Sequence, residues 1–284
     1  MSNIYQTLIS VAELQALQAA GATLLLIDAS FDLADTAAGE RAHAQGHLPG
    51  AHYLHLDRDL SAPKTGRNGR HPLPEREAFA ARMRTLGLRP DTQVVCYDAQ
   101  GGMYAARTWW MLRWLGHAPA AVLNGGLQAW TAAGGPLSQT ATPAAPPSDF
   151  RPGPSLVASL DADRLLAGLG RLRLIDARAP ERFRGEVEPL DTQAGHIPGA
   201  SNRLFKNNLD AEGLLFKPAA QLREEFAALL APHAPQQVVH QCGSGVTACH
   251  NLLAMEYAGL GGSLLYPGSW SEWSSDPGRP VAKG

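Results

Sequence analysis

The chain repeats itself once. "LLLIDAS" (24–30) and "GHLPGAHYL" (46–54) return as "LRLIDAR" (172–178) and "GHIPGASNR" (195–203). Asp28 and Asp176 lie 148 residues apart, and His47 and His196 lie 149 apart. The order continues with "TQVVCYDAQGG" (92–102) against "QQVVHQCGSG" (236–245), and closes with "VLNGGLQAW" (122–130) against "LLYPGSWSEW" (264–273). Matching blocks in one order point to a duplicated domain rather than chance. The period is too long for a solenoid, and each copy is long enough to hold its own core. Between the copies runs "TAAGGPLSQTATPAAPPSDFRPGPS" (131–155). Its prolines remove backbone donors and forbid a continuous helix or ladder. The expected division is therefore a domain over 1–135, a linker over 136–155 and a domain over 156–284.

Within each copy, short apolar β-rich runs alternate with helical patterns. "TLLLID", "QVVCYD" and "AAVLNG" in the first, and "LRLID", "QVVHQ" and "SLLYPG" in the second, lack polar alternation and suit strands covered on both faces. Helices are expected over 73–87, 104–116, 219–233 and 247–261, ending at Gly87, Gly116 and Gly261. The fold class this predicts is α/β: two domains, each a mostly parallel sheet flanked by helices. In such sheets ligands bind beyond the carboxyl ends of the strands.

Other features narrow the function. Lys and Arg number 24 against 26 for Asp and Glu, which gives no footprint for a nucleic-acid partner. No apolar run is long enough for a membrane span, and "MSNIYQTLIS" has no secretory pattern. The three cysteines, at 96, 242 and 249, form no paired framework, so a reduced, cytoplasmic setting is expected. Without a CxxC, no metal or cofactor site is indicated.

Cys242 is the cysteine placed for chemistry. It follows Val238 and Val239 at the end of an expected strand, and Gly243, Ser244, Gly245, Val246 and Thr247 follow it. Successive backbone N–H groups in such a loop form an anion-binding nest, and the helix after Thr247 adds its positive end. Both favour a thiolate, the reactive form. A cysteine that handles phosphate wants an arginine six residues on. Here that position is Ala248, and "CGSGVTA" holds no cation. Cys96, within a strand, and Cys249, within a helix, read as packing. Asp28, Asp176, His47 and His196 recur in both copies and read as structural, and the Trp109, Trp110 and Trp114 stripe reads as core.

The stretches "IDAR" (175–178), "GHIPGA" (195–200), "CGSGVTA" (242–248) and "YPGSWSEW" (266–273), with "GHLPGAHYLHLD" (46–57) in the first copy, are similar to those of the tandem-domain rhodanese family of sulfurtransferases. The resemblance implies a catalytic second domain with Cys242 as nucleophile and a non-catalytic first domain, in which Asp98 stands where Cys242 stands in the second. It also implies that Arg182 grips the donor's carboxylate, and that Ser244, His71 and Asp57 handle protons. The loop resembles the mercaptopyruvate branch, whose donor carries its charge away from the reacting sulfur. The small-molecule donor expected is 3-mercaptopyruvate, and the acceptor cyanide, a small thiol or a thioredoxin-like protein. A second arginine frequent in the family is absent: Leu190 and Asp191 stand there, and Arg184 is the alternative grip. The rival readings are thiosulfate as donor to cyanide, or a sulfur-carrier module without turnover of its own.

Overall fold

The computed structural model describes residues 4–284. Contacts divide the chain into two compact units. The first comprises Met1–Leu60, Pro74–Leu156 and Leu209–Phe216; the second comprises Ser61–Leu73, Val157–Asn208 and Lys217–Gly284. Among the described residues, no helix is long and apolar enough to cross a membrane.

The first unit carries strands β1 (Leu8–Ile9), β2 (Leu24–Asp28), β3 (Ala51–Tyr53), β4 (Gln93–Tyr97) and β5 (Ala120–Leu123) in the order β1-β5-β4-β2-β3. Every pairing is parallel, with Ile27 opposite Cys96 and Asp28 opposite Tyr97. Helices α1 (Val11–Ala19), α2 (Ala38–Gln45), α3 (Arg76–Thr85), α4 (Ala105–Trp114) and α5 (Gly126–Ala132) complete it. The second unit repeats the plan with β6 (Ala158–Ser159), β7 (Arg173–Asp176), β8 (Ser201–Asn202), β9 (Val238–Gln241) and β10 (Leu264–Leu265), ordered β6-β10-β9-β7-β8 and again parallel. Its helices are α6 (Ala162–Gly168), α7 (Pro180–Phe183), α8 (Ala219–Leu230), α9 (Ala248–Tyr257) and α10 (Ser269–Trp273).

The apolar strands are covered on both faces as their composition predicts: all five residues of β4 and all four of β9 are buried. Trp109 and Trp110 are buried in α4, as expected of a core stripe. The repeated aspartates and histidines hold loops. Asp28 accepts from the Ser30 N–H and meets His43 Nδ1, each at 2.9 Å, while His47 and His196 anchor returning segments by paired backbone bonds to Ser138 and Ala282. Gly87 and Gly116 end helices with φ of 78° and 84°. Gly261 does not. Helix α9 stops at Tyr257, and Gly259 takes the left-handed position, at φ 73°, while the Leu260 N–H returns to the Met255 carbonyl.

The segment over 131–155 leaves α5 and runs on without helix or strand, bonded to the first unit. The Ser148 N–H reaches the Arg84 carbonyl, the Gly153 N–H reaches that of Leu115, and Phe150 is buried against His117.

Candidate active site

Strand β9 ends at Gln241, and Cys242 begins the turn into α9 at the carboxyl edge of the sheet. The cysteine is 2 % exposed. Its backbone is clamped by the "YPGSWSEW" turn: the Cys242 N–H donates to Ser269 Oγ at 3.1 Å, and the Cys242 and Gly243 carbonyls accept from the Trp270 and Ser271 N–H groups. The loop bends back beneath its own sulfur, so that the Ser244 N–H points at Cys242 Sγ, 3.5 Å away. Gly245 makes the bend possible. It lies at φ 76°, and a β-carbon there would stand 2.2 Å from the Pro267 carbonyl oxygen. Cys249 Sγ donates to the Gly245 carbonyl and fastens the loop to the first turn of α9.

The first unit contains the same loop with an anion built in. Asp98 follows β4 as Cys242 follows β9, and it is fully buried. Its carboxylate accepts from the N–H groups of Gln100, Gly102, Tyr104 and Ala105 at 2.8–2.9 Å. Gly101, at φ 70°, matches Gly245. By position, Ser244, Val246 and Ala248 are the counterparts of the first three donors; the fourth counterpart, the Cys249 N–H, is turned to the Val246 carbonyl. The duplicated loop is thus a cradle for negative charge. Asp98 fills it permanently in one unit, and in the other a sulfur stands at its edge.

The side chains expected around Cys242 fall into distinct places. His71 is 3 % exposed, and its Nδ1 lies 2.7 Å from Ser244 Oγ, so these two are brought together. Arg182, on α7, lies against Gly243: a β-carbon on Gly243 would come within 3.5 Å of its guanidinium. Arg184 is exposed and forms a two-pronged pair with Glu186. Asp57 belongs to the first unit, where its N–H donates to His55 Nδ1 at 3.1 Å. His240 is buried beside Met255, and burial pushes its imidazole down to about 3, so it stays neutral. Burial pushes the Cys96 thiol up, which keeps it inert.

Sequence reasoning missed three contributors. Arg70 is the nearest neighbour of Gly243, with its guanidinium 2.8 Å from where a β-carbon would stand. It pairs with Asp191, which also accepts from Arg182 at 3.2 Å. Glu188 takes a 2.6 Å bond from Arg182 and pairs with Arg178, which in turn grips Asp176 and lies over Trp270. The loop's own residues carry no cation, but folding brings two guanidiniums against it. The third contributor, Ser269, sits at φ 53°, a conformation unusual for a side-chain-bearing residue. Its repeat counterpart, Gly126, has the same φ, so the offset between the copies was the available signal.

The Rhodanese-like domain family matches residues 10–133 and 161–276. A Pseudomonas aeruginosa protein named "Probable 3-mercaptopyruvate sulfurtransferase" is 49% identical over 265 residues, covering 92% of this chain and 93% of its own. The human 3-mercaptopyruvate sulfurtransferase is 37% identical, with 93% of this chain and 89% of its own covered. The bovine thiosulfate sulfurtransferase is 33% identical, with 95% and 92% covered. Among solved structures, the 3-mercaptopyruvate sulfurtransferase from Leishmania major superimposes with a TM-score of 0.84 at 30% identity, over 95% of this chain and 74% of that one. With both five-stranded units matched and the Cys242 loop in the second, this chain belongs to the rhodanese family, in two tandem copies.

Proposed function

We propose that the protein is a sulfurtransferase that takes sulfur from 3-mercaptopyruvate onto Cys242 and hands it to a small-molecule or protein acceptor. The observation that carries this reading is the grouping of Cys242, the Ser244–His71 pair and two carboxylate-tethered arginines around Gly243. Full-length similarity to proteins named for this activity supports it.

The chemistry follows as a two-step covalent cycle. Arg182 orients the donor's carboxylate. The Cys242 thiolate attacks the donor sulfur, an S–S bond forms, and the C–S bond breaks with its electron pair going to carbon. The leaving group is the enolate of pyruvate, which gains a proton to become pyruvate. Ser244 and His71 sit to move that proton, and Asp57 keeps the part in proton handling that the family resemblance gives it. The outer sulfur of the persulfide rests in the loop over Gly243–Thr247, where the first unit holds the Asp98 carboxylate. The acceptor, cyanide, a small thiol or a thioredoxin-like protein, then attacks the outer sulfur and frees the thiolate. A reducing, cytoplasmic setting suits the three free cysteines.

The test is intact-protein mass spectrometry after incubation with donor. The wild type gains one sulfur, located on the peptide bearing Cys242, and Cys242→Ser gains none. A normal persulfide on the variant overturns the assignment. Persulfide that forms only when another enzyme supplies it, with no pyruvate released, makes the protein a carrier.

A further inference from the structure

We propose that the second unit binds one buried water between the Gln241 amide, the Ile197 N–H and the Asp176 carboxylate, at the place the Tyr97 hydroxyl takes in the first unit. The inference stands apart from the identity of the sulfur donor.

Gln241 is the last residue of β9 and directly precedes Cys242. It is fully buried, and neither its side-chain oxygen nor its side-chain nitrogen has a hydrogen-bond partner among the described residues. A buried amide that bonds to nothing costs free energy at both ends, and native cores rarely leave one dry.

The repeat shows what belongs there. Asp28 stands opposite Tyr97 in the first sheet, as Asp176 stands opposite Gln241 in the second. Alternation along the strands puts Tyr97 on the face of Val95 and Gln241 on the face of Val239. Val95, Tyr97 and Leu48 share one core cluster, and Val239 and Ile197 share its counterpart. In the first cluster the Tyr97 hydroxyl accepts the Leu48 N–H at 3.2 Å. Burial, and then the Asp28 charge, hold the phenol proton in place. One hydroxyl thus ties the strand end to the "GHLPGA" turn. Ile197 is the counterpart of Leu48 in "GHIPGA"; it is fully buried, and its N–H has no partner among the described residues.

A glutamine is shorter than a tyrosine, so its amide stops short of the place the hydroxyl reaches. The position calls for an acceptor towards the Ile197 N–H and a donor towards Asp176 and the Gln241 oxygen. Water is both, and buried waters make about three such bonds. Other occupants fit less well. Arg178 already neutralises Asp176 through bonds of 2.7–3.1 Å, so a cation gains little, and an anion would meet the carboxylate. Through this water the strand that carries Cys242 is joined to the turn that precedes β8.

The experiment is a high-resolution crystal structure of the wild type, with thermal unfolding of Gln241→Leu and Gln241→Tyr. The wild-type map shows one ordered water within about 3.2 Å of the Gln241 amide, the Ile197 nitrogen and an Asp176 oxygen. Gln241→Leu removes one of the water's partners without filling its place, and lowers the unfolding midpoint by about 2–4 °C. A crystal of Gln241→Tyr shows the phenol hydroxyl on the Ile197 N–H and no water. A wild-type map with the amide dry or bonded directly to protein overturns the inference, as does a water that touches Gln241 but not Ile197. A Gln241→Leu midpoint equal to or above the wild type overturns it as well, because leucine is the better replacement for a dry amide. Should the tyrosine variant fail to fold, the wild-type map and the leucine variant decide.

Discussion

At the scale of single residues, Asp98 and Cys242 show how one loop serves two ends. Four N–H groups saturate the Asp98 carboxylate. Cys242 keeps a polarisable sulfur at the same mouth. The cysteine and its glycine–serine loop were legible because the loop chemistry is local in sequence. Arg70 and Ser269 were not, because each acts on the loop from another segment. Ser269 accepts the Cys242 N–H and donates to the Tyr266 carbonyl at 2.9 Å, which offsets its strained backbone. Ser269→Ala loses both bonds while keeping the strain, and is expected to lower stability by roughly 1–3 kcal/mol in denaturant titration. Ser269→Gly, which relieves the backbone as Gly126 does, loses less. Ser244→Ala removes the hydroxyl from His71; kcat for mercaptopyruvate is expected to fall about 10²- to 10⁴-fold with persulfide still formed slowly. An unchanged kcat would remove the pair from the proton path.

At the scale of elements, the site is a strand end, a loop and a turn held together by backbone bonds. The parallel strands and long helices were read from apolar runs and 3.6-residue spacing, which tertiary packing reinforces here. The helix end at Gly259 was misplaced because three glycines lie within residues 259–262 and composition does not say which takes the left-handed turn. At Gly245 the demand is unambiguous. Gly245→Ala would carry a methyl to 2.2 Å from the Pro267 oxygen at a φ that costs about 1–2 kcal/mol by itself. It is expected to abolish persulfide formation by displacing the loop, while far-ultraviolet dichroism keeps its α/β shape. Full activity would mean that the turn does not position Cys242.

At the scale of the whole molecule, the duplication was visible because equivalent residues recur at nearly constant offset, and the two sheets repeat one strand order. The membership of residues 61–73 in the second unit was not, since it depends on contacts such as that of Arg70 with Ser271 rather than on any local pattern. Buried titratable groups set the acid limit of the fold. Burial depresses His240 to about 3 and also lowers His117. The unfolded chain therefore binds more protons below the ordinary histidine value of about 6.5. Burial works against the ionised form of Glu225, yet bonds from Lys217, Arg203 and Gln221 pull its carboxyl down to about 2. That contribution is present above the ordinary carboxyl range and lost as pH falls towards 2. The unfolding midpoint is expected to be level between pH about 6.5 and 8, to decline below that range, more steeply below about 4.5, and to decline again above about 8.5, where the buried Cys96 thiol ionises only in the unfolded chain. His240→Leu should flatten part of the first acid-side decline; an unaltered profile would show that His240 is not kept neutral by burial.

The central claim is the donor. The most direct measurement is kcat/KM of the wild type for 3-mercaptopyruvate and for thiosulfate, with cyanide as common acceptor and Cys242→Ser as control. The account predicts a preference for mercaptopyruvate of at least about a hundredfold, lost in the control, because the Ser244–His71 pair beside Cys242 serves the enolate and its proton, which the departure of sulfite from thiosulfate does not need. A preference for thiosulfate would keep the Cys242 persulfide and contradict the reading of the donor as an α-keto acid whose carboxylate Arg182 orients.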